Sequence, residues 1–217
     1  MSQIQLHNDI EQGSEEWLKL RLGKITASCF YKLLGTKAAR EKYLYDRANE
    51  KVTGCKSDGA EYVNVHIQRG WDNEAIARNE YIVSEFTAVD EVGLVQLNDY
   101  IACSPDGLVC ADGMIAIKSP DSNNYFRQVV EISQKGVEAI SKEHRWQMQF
   151  NLFVCSRKWC DYVLYNDKHA TKGNGLFIFR VDYDSEMQKL ITETIEECIP
   201  MIKEYVNQYN EIFKNEE

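Results

Sequence analysis

Asp106 and Lys118 are where chemistry can begin. Asp106 closes the tight turn of SPDG (residues 104–107), and Lys118 ends the short apolar strand within MIAIKS (114–119). Side chains alternate between the two faces of a strand. Ile115 and Ile117 therefore share one face, and Met114, Ala116 and Lys118 the other. The isoleucines suit the buried side. Asp106, at the end of the neighbouring strand, can reach the spot that residues 116 and 118 face. Two acids and a lysine converging there would support metal-assisted hydrolysis of a phosphate ester. Carboxylates bind Mg²⁺ or Mn²⁺ as hard oxygen ligands. The ions polarise the phosphate and help to form hydroxide, while the lysine orients the attacking water and stabilises developing charge. One acid is missing, because position 116 holds alanine. On SPDG and IKS alone, a turn aspartate and a strand-end lysine without catalytic duty are the plainer reading.

Composition bounds the setting. The chain has 217 residues, 44% of them hydrophobic and only 3 of them proline, which suits one compact domain over residues 1–217 with no linker. No apolar run approaches the roughly 18 residues that span a bilayer. The N-terminal stretch MSQIQLHNDIEQGSEEW has neither a basic n-region nor an apolar h-region, so no membrane association and a cytoplasmic location are expected. Its 7 cysteines form no framework spacing. Cys103/Cys110 and Cys155/Cys160 are not C-x-x-C pairs and are expected to be free buried thiols rather than zinc ligands. The net charge of −9 taken alone counts against nucleic-acid binding, although a local basic surface suffices for it.

The elements that must position these residues follow from periodicity and end signals. Ser14 can cap a helix that opens with Glu15 and Glu16 and runs to about Gly23. Thr26 is expected to cap a short helix, ASCFYKLL, that stops at Gly35. Further helices are expected over about Ala38–Val52 and Gly59–Ser84. In the latter Trp71, Ala75, Ile76 and Tyr81 fall near helical spacing. Strands are expected over 93–98 and 100–104, around an Asn98-Asp99 turn, and over 114–119, 159–166 and 175–182. Helices over about Val129–Ala139 and Lys142–Val154 come between, and a last one from near Ser185 carries Met187, Leu190, Ile191, Ile195, Ile199 and Ile202. This order gives an α/β (α+β) domain, a central mixed sheet flanked by helices. Trp17, Trp71 and Trp146 read as core residues rather than base-stacking platforms.

Four segments together resemble one family. SPDG, eight residues, then x-x-K-S-P looks like the PD-(D/E)XK nuclease signature of the phage lambda exonuclease family, the YqaJ-type viral recombinases. EEWLKLRLGKITAS (15–28) is similar to its W-x-x-x-R-x-G-x-I-T-A-S element. RGWDNEAIAR (69–78) resembles its helix with G-x-x-x-E, and WQMQFNLFV (146–154) its Q-x-Q helix. All four occur in family order over roughly residues 11 to 205. The resemblance implies a restriction-endonuclease-like fold and a Mg²⁺-dependent (Mn²⁺ also) 5′→3′ exonuclease with two ions per site. Such an enzyme degrades one strand of linear double-stranded DNA from its 5′-phosphorylated end and leaves a 3′ tail for phage recombination, in the cytoplasm of a bacterial host. By this resemblance Asp106 is a metal ligand, as are the Ile117 carbonyl and Glu74, while Ala116 stands where the family has a glutamate ligand. Lys118 is the catalytic lysine. Gln147 faces the site, with Gln149 as the competing choice. Arg21, Ser28 and Ser104 hold the 5′-phosphate. Implied partners are double-stranded DNA ends, a single-strand annealing protein and two further copies in a homotrimeric ring, with Arg127, Lys135, Lys142 and Arg145 as candidate channel residues.

Three accounts of Ala116 are open: an engineered Glu→Ala change, a natural loss leaving a DNA-end binder, or replacement by another acid. Asp112 is the nearest acid in sequence, four residues away and thus roughly 13 Å along a strand, too far to substitute. The engineered account is favoured, because the other site positions are intact and drift after loss of function would blur more than one. Rivals in other classes are a non-catalytic DNA-end binding module and a RecB-type PD-(D/E)XK endonuclease.

Overall fold

The computed structural model describes residues 4–57 and 65–214, the side chains of 65–72 excepted. In chain order the elements are strand β1 (Gln5–His7), helix α1 (Glu15–Arg21), β2 (Ile25–Thr26), a 3-10 helix (Ala27–Leu34), α2 (Lys37–Thr53), α3 (Val65–Glu85), β3 (Val89–Asp90), β4 (Leu94–Asn98), β5 (Ile101–Cys103), β6 (Gly107–Val109), β7 (Gly113–Lys118), α4 (Ser122–Lys135), a second 3-10 turn (Gly136–Ala139), α5 (Lys142–Cys155), β8 (Trp159–Tyr165), α6 (Asp167–Ala170), β9 (Leu176–Asp182) and α7 (Ser185–Lys214).

The mixed α/β expectation holds, but the strands form two sheets rather than one. The larger has order β3-β6-β7-β8-β9 and the smaller β1-β4-β5-β2. β7 and β8 are parallel, while β6 and β9 are antiparallel to their neighbours. The division falls at Ser104-Pro105-Asp106, between β5 in one sheet and β6 in the other. Proline cannot donate to a ladder, so pairing lapses there and the chain changes sheets. Gly107 completes the change. A Cβ at this position would lie 2.3 Å from Val89 Cγ1, so glycine lets β3 close on β6 beside the aspartate.

β7 is covered on both faces. Ile115 and Ile117 pack with Val163, Tyr165 and the α3 residues Ala77 and Tyr81. Met114 and Ala116 join the larger core with Tyr162, Leu164, Trp146 and Phe150. The alternation is as expected, but the isoleucine face is not the sole buried one, because α5 covers the other. Burying each such isoleucine contributes roughly 1.5–3 kcal/mol.

Local signals account for most helix ends. Ser14 accepts from Trp17 N at 3.2 Å, and Thr36 caps α2 through Ala39 N. Thr26 departs from expectation. It pairs with Ala102 in β2 and makes no side-chain cap bond, because the ladder holds it extended. α4 begins at Ser122, earlier than its apolar pattern suggested, because the Asp121 carboxylate accepts from Asn124 N at 3.0 Å. The expected stripe on α3 also shifts. Ala77 and Tyr81 are buried, whereas Ala75 and Ile76 face solvent. Trp71's side chain and the expected helix start at Gly59 lie outside the described residues. Trp146 is core, as expected. On α7, Ile191, Ile195 and Ile202 are buried and Leu190 is exposed.

Candidate active site

The C-terminal end of β7 gathers the acids and the lysine. Asp106 lies just before β6, and its Oδ2 accepts from Ile117 N at 2.6 Å. A strand residue turns its N–H and C=O to the same edge, so the Ile117 carbonyl also faces Asp106. Lys118, half-buried, makes no ion pair among the described residues. Glu74 reaches the same place from α3. Burial pushes its carboxyl up to about 7, Asp106 adds repulsion, and the charges of Arg78 and Lys118 pull it back. Ala116, 2% exposed, lies beside Tyr162 across the parallel pair.

Of these groups Glu74 and Asp106 line a cleft of about 460 Å³, together with Asp9, Glu11, Glu91 and Arg78. Arg78 was not singled out from sequence, yet it is the most connected side chain there. Its Nη2 donates to Glu74 Oε1 at 2.6 Å, its Nε to the Asp106 carbonyl at 3.0 Å, and its Nη1 lies 2.7 Å from Glu91 Oε2. The signal was available, since Glu74 and Arg78 are an acid and a base at i, i+4 on one helix.

No group of three or more His, Cys, Asp or Glu side chains among the described residues is placed to hold a metal ion. The donors present are hard oxygens, Asp106, Glu74 and the Ile117 carbonyl. They suit Mg²⁺ or Mn²⁺ in kind and are one carboxylate short where Ala116 stands. Asp112 does not fill the gap. It pairs with Lys158 at 3.1 Å, in the turn at the opposite end of β7.

A second cluster adjoins the cleft. Arg21, at the end of α1, stacks over the Trp17 ring at 4.0 Å and donates from Nη2 to Ser28 Oγ at 3.4 Å. Trp17 Nε1 donates to Ser104 Oγ at 2.9 Å and lies 3.1 Å from the Gly93 carbonyl. Trp17 is thus half-buried rather than core, and it joins Arg21 to Ser104. Burial lowers the pKa of Arg21, though a guanidinium stays charged. Among the described residues no carboxylate pairs with it. Gln12 Nε2 fastens the segment before α1 to the Val92 and Pro105 carbonyls, both at 3.0 Å, so the two clusters share one framework.

α5 covers the Lys118 face. His144 Nδ1 lies 2.7 Å from the Tyr162 hydroxyl, which donates to Gln128 Oε1 at 3.3 Å. Burial, with the Lys118 charge, pushes His144 down to about 3. Gln147, one turn on, is half-buried and makes no side-chain hydrogen bond among the described residues. Gln149 is committed elsewhere, donating to the Asp182 carbonyl at 2.8 Å and accepting from Asp184 N at 3.1 Å. The channel candidates do not share one environment. Arg145 is paired with Glu138 at 2.9 Å, and Lys142 borders a separate groove with Arg40 and Trp146. Arg127 and Lys135 are exposed on α4. The seven cysteines are free thiols; Cys103 and Cys160 are buried as expected, but Cys110 is exposed and Cys155 half-buried, with Cys155 Sγ 3.5 Å from Cys103 Sγ.

The profile of the YqaJ-like viral recombinase domain matches residues 16–158. No curated protein matches the chain significantly. The alkaline exonuclease of Laribacter hongkongensis superposes with TM-score 0.81 at 28% identity, covering 94% of this chain and 100% of that one. The same enzyme in complex with dAMP gives 0.80 at 28% identity and the same coverage. A phage-related exonuclease from Haemophilus somnus 129PT shares the fold, with TM-score 0.65 at 18% identity over 87% of this chain and 96% of that one.

Proposed function

From the premise that this chain belongs to the YqaJ-like viral recombinase family, we propose that it acts on DNA as an exonuclease. The substrate is linear double-stranded DNA, and one strand is degraded 5′→3′ from its 5′-phosphorylated end. The observation that carries this reading is Arg21, a half-buried guanidinium on a tryptophan face, bonded to one serine and linked to another, with no carboxylate partner among the described residues. Such a group favours a phosphate, and it lies beside an acidic cleft of the kind that handles phosphodiesters.

Arg21, Ser28 and Ser104 hold the terminal 5′-phosphate and so fix how far the strand extends into the cleft. Asp106, Glu74 and the Ile117 carbonyl would hold Mg²⁺ or Mn²⁺, and the family pattern has two ions. When bound, the ion supplies polarisation of the scissile phosphate and a lowered pKa for water. Lys118, without an ion pair among the described residues, would orient the attacking water and stabilise charge on the phosphate, and the resemblance gives Gln147 a place facing the same site. A Glu→Ala change at residue 116 accounts for a site otherwise intact, so the chain as written binds ends and cuts them very slowly or not at all. The resemblance also supports a homotrimeric ring working beside an annealing protein.

The test is digestion of linear and closed-circular duplex by the Ala116→Glu protein with Mg²⁺. Degradation of linear DNA to mononucleotides, with circles left whole, is expected. Failure to digest linear DNA would favour a DNA-end binding module instead, and cutting of circles a RecB-type endonuclease.

A further inference from the structure

Arg78 uses all three of its nitrogens on the protein. Its side chain is 11% exposed, and it bonds the Glu74 carboxylate, the Asp106 main-chain carbonyl and the Glu91 carboxylate. A guanidinium so engaged has little left to offer a phosphate. Its Cα is also fixed, because Ala77 and Tyr81 on either side of it are buried against the Ile115–Ile117 face.

We propose that Arg78 is a positioning residue of the cleft, holding the Glu74 carboxylate and the Asp106 peptide where both can ligate one divalent cation. The role rests on reading the cleft as a cation site. The pattern of used and unused oxygens carries it. Glu74 Oε1 is taken by Arg78 and Asp106 Oδ2 by Ile117 N. The second oxygen of each carboxylate has no donor among the described residues. Asp106 is thus held at both ends, its side chain by β7 and its carbonyl by α3, with one oxygen left over. An ordinary i, i+4 ion pair on a helix surface engages one acid and is worth little. This one joins three acceptors on three segments, α3, the β3–β4 connection and the β5–β6 connection, which matches the fork of an arginine and not the single point of a lysine.

The full chain as written is tested with Mn²⁺ alone as the probe, binding being read by electron paramagnetic resonance and calorimetry, and the Ala116→Glu protein is tested in parallel. Arg78→Gln is expected to weaken Mn²⁺ binding about 10-fold or more, the scale on which groups that orient metal ligands act. Arg78→Lys keeps the charge but cannot span the acceptors, and should weaken binding several-fold. Affinity for a 5′-phosphorylated duplex end without metal should stay within about 2-fold for both. Parental Mn²⁺ affinity in Arg78→Lys, or tighter binding in Arg78→Gln, would overturn the proposal, since the residue would then act through charge alone. If Arg78→Gln does not fold, Arg78→Lys still decides. Asp106→Ala separates the two levels. Mn²⁺ binding that survives it places the metal elsewhere and removes the cation reading itself, whatever Arg78 does.

Discussion

The proposed phosphate pocket and the cleft lie side by side on one framework, yet they are built on opposite electrostatic plans. The pocket has a guanidinium with no carboxylate partner among the described residues, hydroxyls and an aromatic ring, each already in contact with the next. The cleft has several acids, two of which, Glu74 and Glu91, pair with Arg78, and burial and the neighbouring Asp106 raise the pKa of Glu74. On the proposed reading the pocket is therefore complete as an anion site before anything binds. On the same reading the cleft needs a cation and, by the family pattern, a third acid at residue 116. End recognition and cutting should thus separate experimentally, and each prediction presses on that separation.

The largest effect is expected at β7, the proposed catalytic strand. Ala116→Glu should raise Mg²⁺-dependent digestion of linear duplex by on the order of 10³-fold, the scale of a lost metal ligand worth about 4 kcal/mol in the transition state. Asp106→Ala added to it should return the rate to background. Binding of 5′-phosphorylated ends without metal, measured by fluorescence anisotropy, should change little throughout. Equal loss of binding and cutting in the Asp106→Ala protein would erase the division between the two regions.

In the Ala116→Glu background, Arg21→Ala should slow digestion of 5′-phosphorylated ends roughly 10- to 100-fold, as for loss of a charge-assisted hydrogen bond of about 1.5–3 kcal/mol. On 5′-hydroxyl ends it should do little. Equal slowing on both substrates in single-turnover assays would remove the pocket assignment.

Trp17→Phe keeps a ring beneath Arg21 but removes the donor to Ser104. Preference for phosphorylated over hydroxyl ends should fall by roughly 3- to 10-fold, about the net worth of one neutral hydrogen bond. Unchanged preference would show that Ser104 needs no help in facing the phosphate.

The smallest effect concerns the wall behind Lys118. His144, pushed down to about 3 mainly by burial, should stay neutral from pH 5 to 8, which imidazole NMR signals can check. The unfolded chain protonates this histidine near 6.5 and the folded one does not. Its contribution to stability is therefore present above that pH and is lost as pH falls toward 3, at up to about 1.4 kcal/mol per unit. Titration near 6.5 in the folded protein would mean that the His144–Tyr162 contact opens readily.

Local physics made much of this readable in advance. Alternation along residues 114–118 assigned Ala116 and Lys118 to one face, and Ser14 announced α1 through its cap. Asp106 could be named because an acid in a tight turn before an apolar strand is a short-range pattern. The resemblance then supplied Arg21, Ser28 and Ser104, which the structure brings together around Trp17.

What only the tertiary structure decided involves partners far apart in sequence. β3 and β6 are too short for a periodic signal and exist because neighbours pair with them. Thr26 could cap a helix or join a ladder, and Ala102 across the sheet settled which. Gln147 and Gln149 are alike by sequence. Contacts with Asp182, Asp184 and Gln188 commit Gln149 to the fold. Arg78 could have been an exposed helix base; it became the centre of the cleft because burial of Ala77 and Tyr81 turned that face of α3 toward Asp106 and Glu91. The sequence by itself determined the residue types, the alternation and the local caps, which depend on neighbours within a turn or two. Packing decided which charges meet, because that depends on which faces the buried apolar surface forces together.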